Sequence, residues 1–508
     1  MNFIDRLVSA ISPEAGLRRL RARHFMGRIE AYAGGNHYHG ANRRDKAMRG
    51  KRASNADADT ALSGDLEELR NQSNRLIRNE PLATGAIRTA VNSVIGPGLR
   101  LQSNINRRLV GLDADQAEAW QRKAEDLFTV WANSTDCDIT KTNTFAGLQA
   151  LVFRSKLVSG DCFSLLSDRA GGHPFDLAVQ VVEGHRVSTP RGEKDGPQLN
   201  QGVEKDQHGA PVAYHVSTMH PGSAHNRNKA DWVRIPVRQA SRRVMLHHYQ
   251  QLRPGQTRGE PFLSPVIYAF SQLGDYTKAE LEAAVVSAFY TVFLKSEELE
   301  ADELADGIKQ TADAEAKAAG LDVGNNEVHL KRGGVTVLGP EESIEIANPG
   351  RPNALFDPFV NAIIMQIGAG LGIPQEVLTK SFKASYSAAK AALQEAWQVF
   401  NTWRHWMADS FCRPVYEAFI TEQVLTGRLY APGFLTDPIV RRGYLGSTWI
   451  GSPMPQLDPL KEAQAAEKRM DVLKLTTHAE ESAALTCLHP LSTTTVTTQG
   501  KRIGTHAG

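Results

Sequence analysis

The sequence is short of cysteine, of net charge and of long apolar runs, and each shortage narrows what the protein can be. Its four cysteines, Cys137, Cys162, Cys412 and Cys487, are scattered and form no CxxC pair. That excludes a disulfide framework and a zinc ribbon, and fits a reducing cytoplasm. Lys plus Arg (58) nearly cancels Asp plus Glu (56), leaving a formal charge of +2. Such a balance does not suit a protein that grips phosphate over its whole surface, so any DNA contact is local or weak. The longest apolar stretch, within 359–373, is interrupted by Asn361, Gln366 and three glycines, and no membrane span is expected. The first residues place Phe3, Ile4, Leu7, Ala10 and Ile11 at helical spacing but offer no apolar core with a small-residue cleavage site, so no secretory signal is expected.

Catalytic signatures are missing as well. There is no GxxxxGK[ST] phosphate loop, since Gly500-Lys501 is followed by Arg502, and neither HExxH nor GxSxG occurs. No ATP hydrolysis by this chain, and no cofactor, is expected. Two histidine pairs invite a metal reading. His37-x-His39 lies in a polar, basic leader without a third ligand, and the neighbours His247 and His248 point to opposite faces of a strand. Neither is expected to hold a metal.

What remains is a chain of 508 residues, 41% apolar and 22% charged, long enough for about three packing units at roughly 150 residues each. Residues 1–60 form a basic arm, with Arg18, Arg19, Arg21 and Arg23 and then Arg43, Arg44, Lys46, Arg49, Lys51 and Arg52 among small and polar residues. It reads either as an arm that wraps a neighbour or touches nucleic acid, or as a solvated leader. Apolar spacing predicts helices over 65–78, 82–95, 115–131 and 144–158. The texture then changes to short apolar or alternating runs at 162–167, 177–183, 213–217 and 243–249, which read as strands. Ser264-Pro265 and Asp357-Pro358 each look like a cap followed by proline at the first helical position, opening helices over 264–290 and 359–369. Between them lie an Ala/Glu/Asp-rich helical stretch (295–320) and short strands at 327–330, 334–338 and 342–346. A polar loop, 379–385, leads to an amphipathic helix from Tyr386 that carries Leu393, Trp397, Phe400, Trp403, Met407 and Phe411 on one stripe and is expected to bend at Pro414. Trp397 and Trp403 fall on that stripe and read as core rather than as platforms for bases. A further helix is expected over 460–476, and the final residues lack periodicity and are expected to be disordered. The fold class is α+β, helix-rich.

Four stretches carry a resemblance: LRNQSNRLIRNEPLATGAIRTAVNSVIGPGLRLQ (69–102), LRPGQTRGEPFLSPVIYAFSQLGDYTKAELEAA (252–284), NALFDPFVNAIIMQIGAGLGIPQEVLTKSFKASYSAAKAALQEAW (353–397) and DPLKEAQAA (458–466). Together they make the sequence similar to the lambda-type portal proteins of tailed bacteriophages. The resemblance implies a homo-oligomeric ring, typically of twelve subunits, around a channel for double-stranded DNA. It implies a place in the virion at the capsid portal vertex, assembly in the host cytoplasm, and docking of the large terminase, the major capsid or scaffold protein and head-completion proteins. On this chain it implies a wing (61–262), a first stem helix (263–291), a clip (292–352), a second stem helix (353–371), a tunnel loop (372–385), a returning wing helix (386–428), and a crown with a C-terminal tail (429–508). Beyond about Ala484 the sequence departs from the helical continuation usual in the family.

Within that frame Lys380 and Lys383, flanking Phe382 in the tunnel loop, are the candidates for approaching DNA phosphates, with ordinary surface lysines as the equal alternative. Asp275, Glu280 and Glu282 on the first stem helix are candidates for a weakly repelling channel wall, or else solvated helix positions. Two other readings stand beside the ring. One is a different phage structural protein, of the minor capsid or tail-assembly kind. The other is a DNA-processing hydrolase using Asp136, Asp138 and Asp161.

Overall fold

The computed structural model describes residues 14, 15, 21, 22, 55–169, 174–225, 230–240, 242–287, 292–294, 335–337, 355–382, 385–454, 459–472 and 481. The chain divides into two units, 1–57 and 58–508. In the first, residues 14, 15, 21 and 22 are helical. The expected 295–320 helix, the strands at 327–330 and 342–346, and the tail beyond 481 lie outside the described residues.

The second unit opens with α1 (Ala58–Ser63), α2 (Leu66–Asn79) and α3 (Pro81–Val94). Strand β1 (Arg100–Ser103) and the short α4 (Arg107–Val110) lead to α5 (Ala114–Asn133) and α6 (Phe145–Ser159). Strands β2 (Asp161–Asp168), β3 (Leu177–Glu183), β4 (Leu199–Asn200), β5 (Val203–Lys205), β6 (Pro211–Ser217), β7 (Trp232–Pro236), β8 (Arg238–Gln239), β9 (Arg242–Arg243) and β10 (Met245–Tyr249) follow. Helix α7 (Ile267–Ser287), the parallel pair β11 (Val292–Leu294) and β12 (Val335–Val337), α8 (Phe356–Leu371), α9 (Gln375–Thr379) and α10 (Tyr386–Met407) come next. The described elements end with α11 (Arg413–Leu425), α12 (Pro438–Tyr444), β13 (Ser447–Ile450) and α13 (Pro459–Glu467).

Local chemistry fixes several of these ends. Asp113 and Gln116 form a reciprocal capping box on α5, each side chain accepting from the other's backbone N–H. Gly372, at φ +65, closes α8 in the left-handed region that suits glycine. The two proline starts form differently from the expectation. Neither Ser264 nor Asp357 acts as a cap: Leu263 and Leu355 occupy those positions without a side-chain bond, and Ser264 begins a 3-10 turn that precedes α7. The expected bend at Pro414 is a π-helical turn, Ala408–Cys412, that joins α10 to α11. Proline lacks the N–H that would continue the α ladder, and widening the turn before it accommodates that gap.

Two antiparallel sheets stand at the centre, a three-stranded β10-β2-β3 and a four-stranded β4-β5-β6-β7. Phe163 pairs across to His247 and Val182, and together with Val203, Tyr214, Val216 and Met245 builds a small second core. The main core is helical and aromatic. Phe128 lies at its middle, with Trp131, Phe145, Tyr416, Phe419 and Trp449 at ring-centroid distances of 5.3–5.8 Å. Trp131 meets its polar need by donating to Leu177 O at 2.9 Å. Trp397, Trp403 and Trp406 pack half-buried against this core, in keeping with the structural role expected of the first two. β1 pairs with β13, Arg100 opposite Ile450, so segments some 350 residues apart share one ribbon.

Candidate functional site

Helices α7 and α8 share the distinctive pattern of the molecule, for each is buried at one end only. On α7 the fully buried positions, Phe270 and Leu273, stop before Asp275, and from there to Val285 every side chain is exposed or half-buried. On α8 burial begins only at Ile364 and continues through Ile367 and Leu371. The free ends hold each other: Tyr276 stacks on Phe356 at 5.6 Å and meets Phe359 edge-on at 4.9 Å. Much apolar surface stays uncovered, with Tyr268 76% exposed, Leu281 66%, Phe359 51% and Met365 54%.

The acidic candidates on α7 do not act together. Asp275 and Glu282, seven residues apart, share one exposed stripe with Tyr268 and Gln272, while Glu280 is half-buried on the line that runs on from Phe270 and Leu273. Glu282 lies 3.9 Å from Lys278, an exposed i,i+4 pair that adds little stability. Past Gly372 the chain makes the single turn of α9, which the sequence did not announce, and ends it on Lys380 in the left-handed region at φ +57. Its N–H and that of Ser381 both return to Glu376 O, so the chain turns sharply off the helix axis. Lys380 is exposed and Phe382 is 46% exposed. Lys383 lies outside the described residues.

The three carboxylates considered for hydrolysis are each engaged in holding the fold. Asp161 is fully buried and receives Arg258 Nε at 2.6 Å and Nη2 at 3.1 Å, Arg70 Nη2 at 2.6 Å, His247 Nε2 at 3.2 Å and the Gly259 N–H at 3.3 Å. Burial alone raises its pKa, but Arg258 and Arg70, with the His247 hydrogen bond, outweigh that and hold it well below the usual carboxylate range. Arg258 uses all five of its donors: besides Asp161 it reaches Val187 O, Gln201 O and Gly184 O. The backbones approach so closely that a Cβ on Gly259 would lie 2.2 Å from Gly160 O, and one on Gly184 would lie 2.2 Å from Asp161 Oδ1. Asp138 caps its own loop, accepting from the backbone and side chains of Thr140 and Asn143, and Asp136 pairs with Arg169 at 3.0 Å. These carboxylates are structural anchors, already neutralised or hydrogen-bonded.

Of the histidine neighbours, His247 faces Asp161, stacked between Phe163 and Tyr249, and His248 faces the other way onto Ser164 Oγ at 2.9 Å. Burial, then the neighbouring His247, lowers the pKa of His248 to about 3. No helix of the described residues is long and apolar enough to cross a membrane.

The chain belongs to the lambda family of phage portal proteins, whose profile matches residues 44–404. It is 25% identical over 457 residues to the portal protein of Escherichia phage N15, covering 86% of this chain and 84% of that one. It is 24% identical over 442 residues to portal protein B of Escherichia phage lambda, covering 84% and 82%. Among solved structures, a chain in the neck of a native gene transfer agent particle, computed with C12 symmetry, is 13% identical with a TM-score of 0.41, over 83% of this chain and 93% of that chain.

Proposed function

We propose that this protein is the repeating subunit of a homo-oligomeric ring, of twelve copies, that forms the DNA channel at the portal vertex of a phage capsid. The observation that carries this reading, beside family membership, is the uncovered apolar surface of α7 and α8: neighbouring copies would bury Leu281, Phe359 and Met365. A closed ring needs two different complementary faces on each subunit, and a pair of helices supplies one on either side. In this reading α7 and α8 are the stem helices (263–291 and 353–371), the residues between them (292–352) the clip, 372–385 the tunnel loop, and 61–262 with 386–428 the wing. Residues 429–508 would form the crown and tail, and 1–60 the N-terminal arm. Asp275 and Glu282 lie on the stripe that suits a weakly repelling channel wall, with Glu280 set back from it. Lys380, Phe382 and Lys383 belong to the segment that meets DNA, and the left-handed turn at Lys380 supports a loop that leaves the helix abruptly.

The protein supplies the passage, and a separate large terminase supplies the force. Docking to that motor, to the major capsid or scaffold protein and to head-completion proteins belongs to the same reading, with assembly in the host cytoplasm. The engagement of Asp136, Asp138 and Asp161 supports a non-catalytic role over the hydrolase alternative. Negative-stain images of the purified protein test the ring: twelve-fold rings with a central hole are expected, and monomers under all conditions contradict it. Replacing Lys380 and Lys383 together by Glu is expected to leave rings intact while impairing packaging, measured as protected DNA per particle; normal packaging removes the loop from the account.

A further inference from the structure

Away from the stem, three potential metal ligands converge where β3 meets the loop after β6. Glu183 closes β3, His185 follows in the 3-10 turn Gly184–Arg186, and His220 comes from the loop beyond Ser217. One ligating atom from each lies within 4.8 Å of the other two, and no other such group occurs among the described residues. His220 Nε2 stands 3.4 Å from Glu183 Oε2, and the two imidazole rings are 5.3 Å apart.

The surrounding structure fixes both ligand-bearing segments. Gly184 is wedged against Asp161, which sets the turn that presents His185. Arg186, next in the same turn, donates to Ser217 O at 3.0 and 2.8 Å and to Thr218 O at 3.2 Å, tying down the chain just before His220. His185 Nδ1 is buried yet has no hydrogen-bond partner, an unmet need that a metal bond would answer.

We propose that Glu183, His185 and His220 bind one divalent transition-metal ion of the zinc class, fastening the loop after β6 to the end of β3. Two imidazoles and one carboxylate suit Zn2+ far better than Ca2+ or Mg2+, which favour all-oxygen shells. Three protein ligands leave a fourth position to water. Closing a tetrahedral shell with bonds of about 2.1 Å moves the side chains together by about 1 Å, within the reach of two side chains that are not buried. Binding has a cost on the His220 side. Its Nδ1 accepts from the Gly222 N–H at 3.0 Å, and coordination through Nε2 leaves the ring proton on Nδ1, so that contact is given up.

The sequence concealed this group because His220 lies far from the other two, with all of β4, β5 and β6 between. The test is equilibrium dialysis of the full-length protein against Zn2+, with metal content measured per chain, repeated with Co2+ to read the visible absorption of a tetrahedral site. Glu183→Gln and His220→Asn change side chains that are 62% and 39% exposed, so both variants are expected to fold. Wild type is expected to hold one more equivalent of Zn2+ than either variant and to give the Co2+ bands that both lack. Equal uptake by wild type and variants, or Co2+ spectra without tetrahedral bands, overturns the proposal.

Discussion

Arg258 and Phe359 stand at opposite extremes of one chain. Every donor of Arg258 is engaged and its side chain is 2% exposed, in a centre where two arginines, a histidine and close-packed glycines surround one carboxylate. Phe359, on α8, keeps half of its surface open and leans on the ring of Tyr276. The first region is complete within one subunit. In the proposed ring, neighbouring copies cover the second. In that reading folding and assembly are separate, since the centre holds its shape within one subunit while α7 and α8 pack against neighbouring copies.

The largest effect should follow from breaking the centre. Arg258→Ala leaves Asp161 buried with half its counter-charge removed and strands Val187 O, Gln201 O and Gly184 O, and removal of one partner from such a site costs about 3–5 kcal/mol. Most of the chain is expected to be lost to the insoluble fraction, with denaturant melting of any soluble remainder as the measure. A variant that melts like wild type would show that the centre is as dispensable to the subunit as the exposed faces of α7 and α8, and collapse the contrast.

An effect of comparable size comes from acid, and its sign follows from the histidines. His248 and His185 have pKa values of about 3 and about 4 when folded, against about 6.5 when unfolded. Below pH 6.5 the unfolded chain takes up protons that the folded chain refuses, so stability falls as pH falls. Each group contributes a slope of about 1.4 kcal/mol per pH unit until its folded value is reached. Asp161 works in the same direction but only at lower pH. Its folded pKa lies below the unfolded value near 4, so its stabilisation is complete above that value and is lost as pH falls further. Unfolding free energy measured between pH 7 and 4.5 is expected to decline steadily, and to decline less in His248→Gln. An identical slope in that variant would assign the acid response elsewhere.

Much of the helical framework was legible. The 65–78, 82–95, 115–131 and 144–158 periodicities match α2, α3, α5 and α6 to within about two residues at their ends, because single-stripe burial leaves a regular signal. The strand 177–183 matches β3 as read. What escaped was long-range or locally ambiguous. β1 and β13 are short and pair across most of the chain, and α12 is a short Asp437-capped helix of about two turns within a Gly/Pro-rich stretch. Ser264 and Asp357 had the composition of caps, but leucines took the cap positions, since the packing of α7 and α8 decides where each helix begins. Asp161 drew notice as a possible catalytic carboxylate. Its true setting could be read only once Gly160 and Gly259 were known to touch, although the pairing of glycine with an opposite charge in Gly160-Asp161 and Arg258-Gly259 was a usable hint. Of the candidate residues, Lys380, Phe382, Asp275 and Glu282 are exposed and Glu280 is half-buried.

The contrast between the two regions is tested most directly by replacing Leu281 and Phe359 together with Ser. Both are more than half exposed in the single chain, so the denaturation midpoint of the subunit is expected to shift little, with a change within about 0.5 kcal/mol for each surface site. Rings, scored by sedimentation velocity and negative-stain imaging beside wild type, are expected to be lost. Rings that form as readily in the double variant as in wild type would contradict the account, because the uncovered faces of α7 and α8 would then not be what joins one subunit to the next.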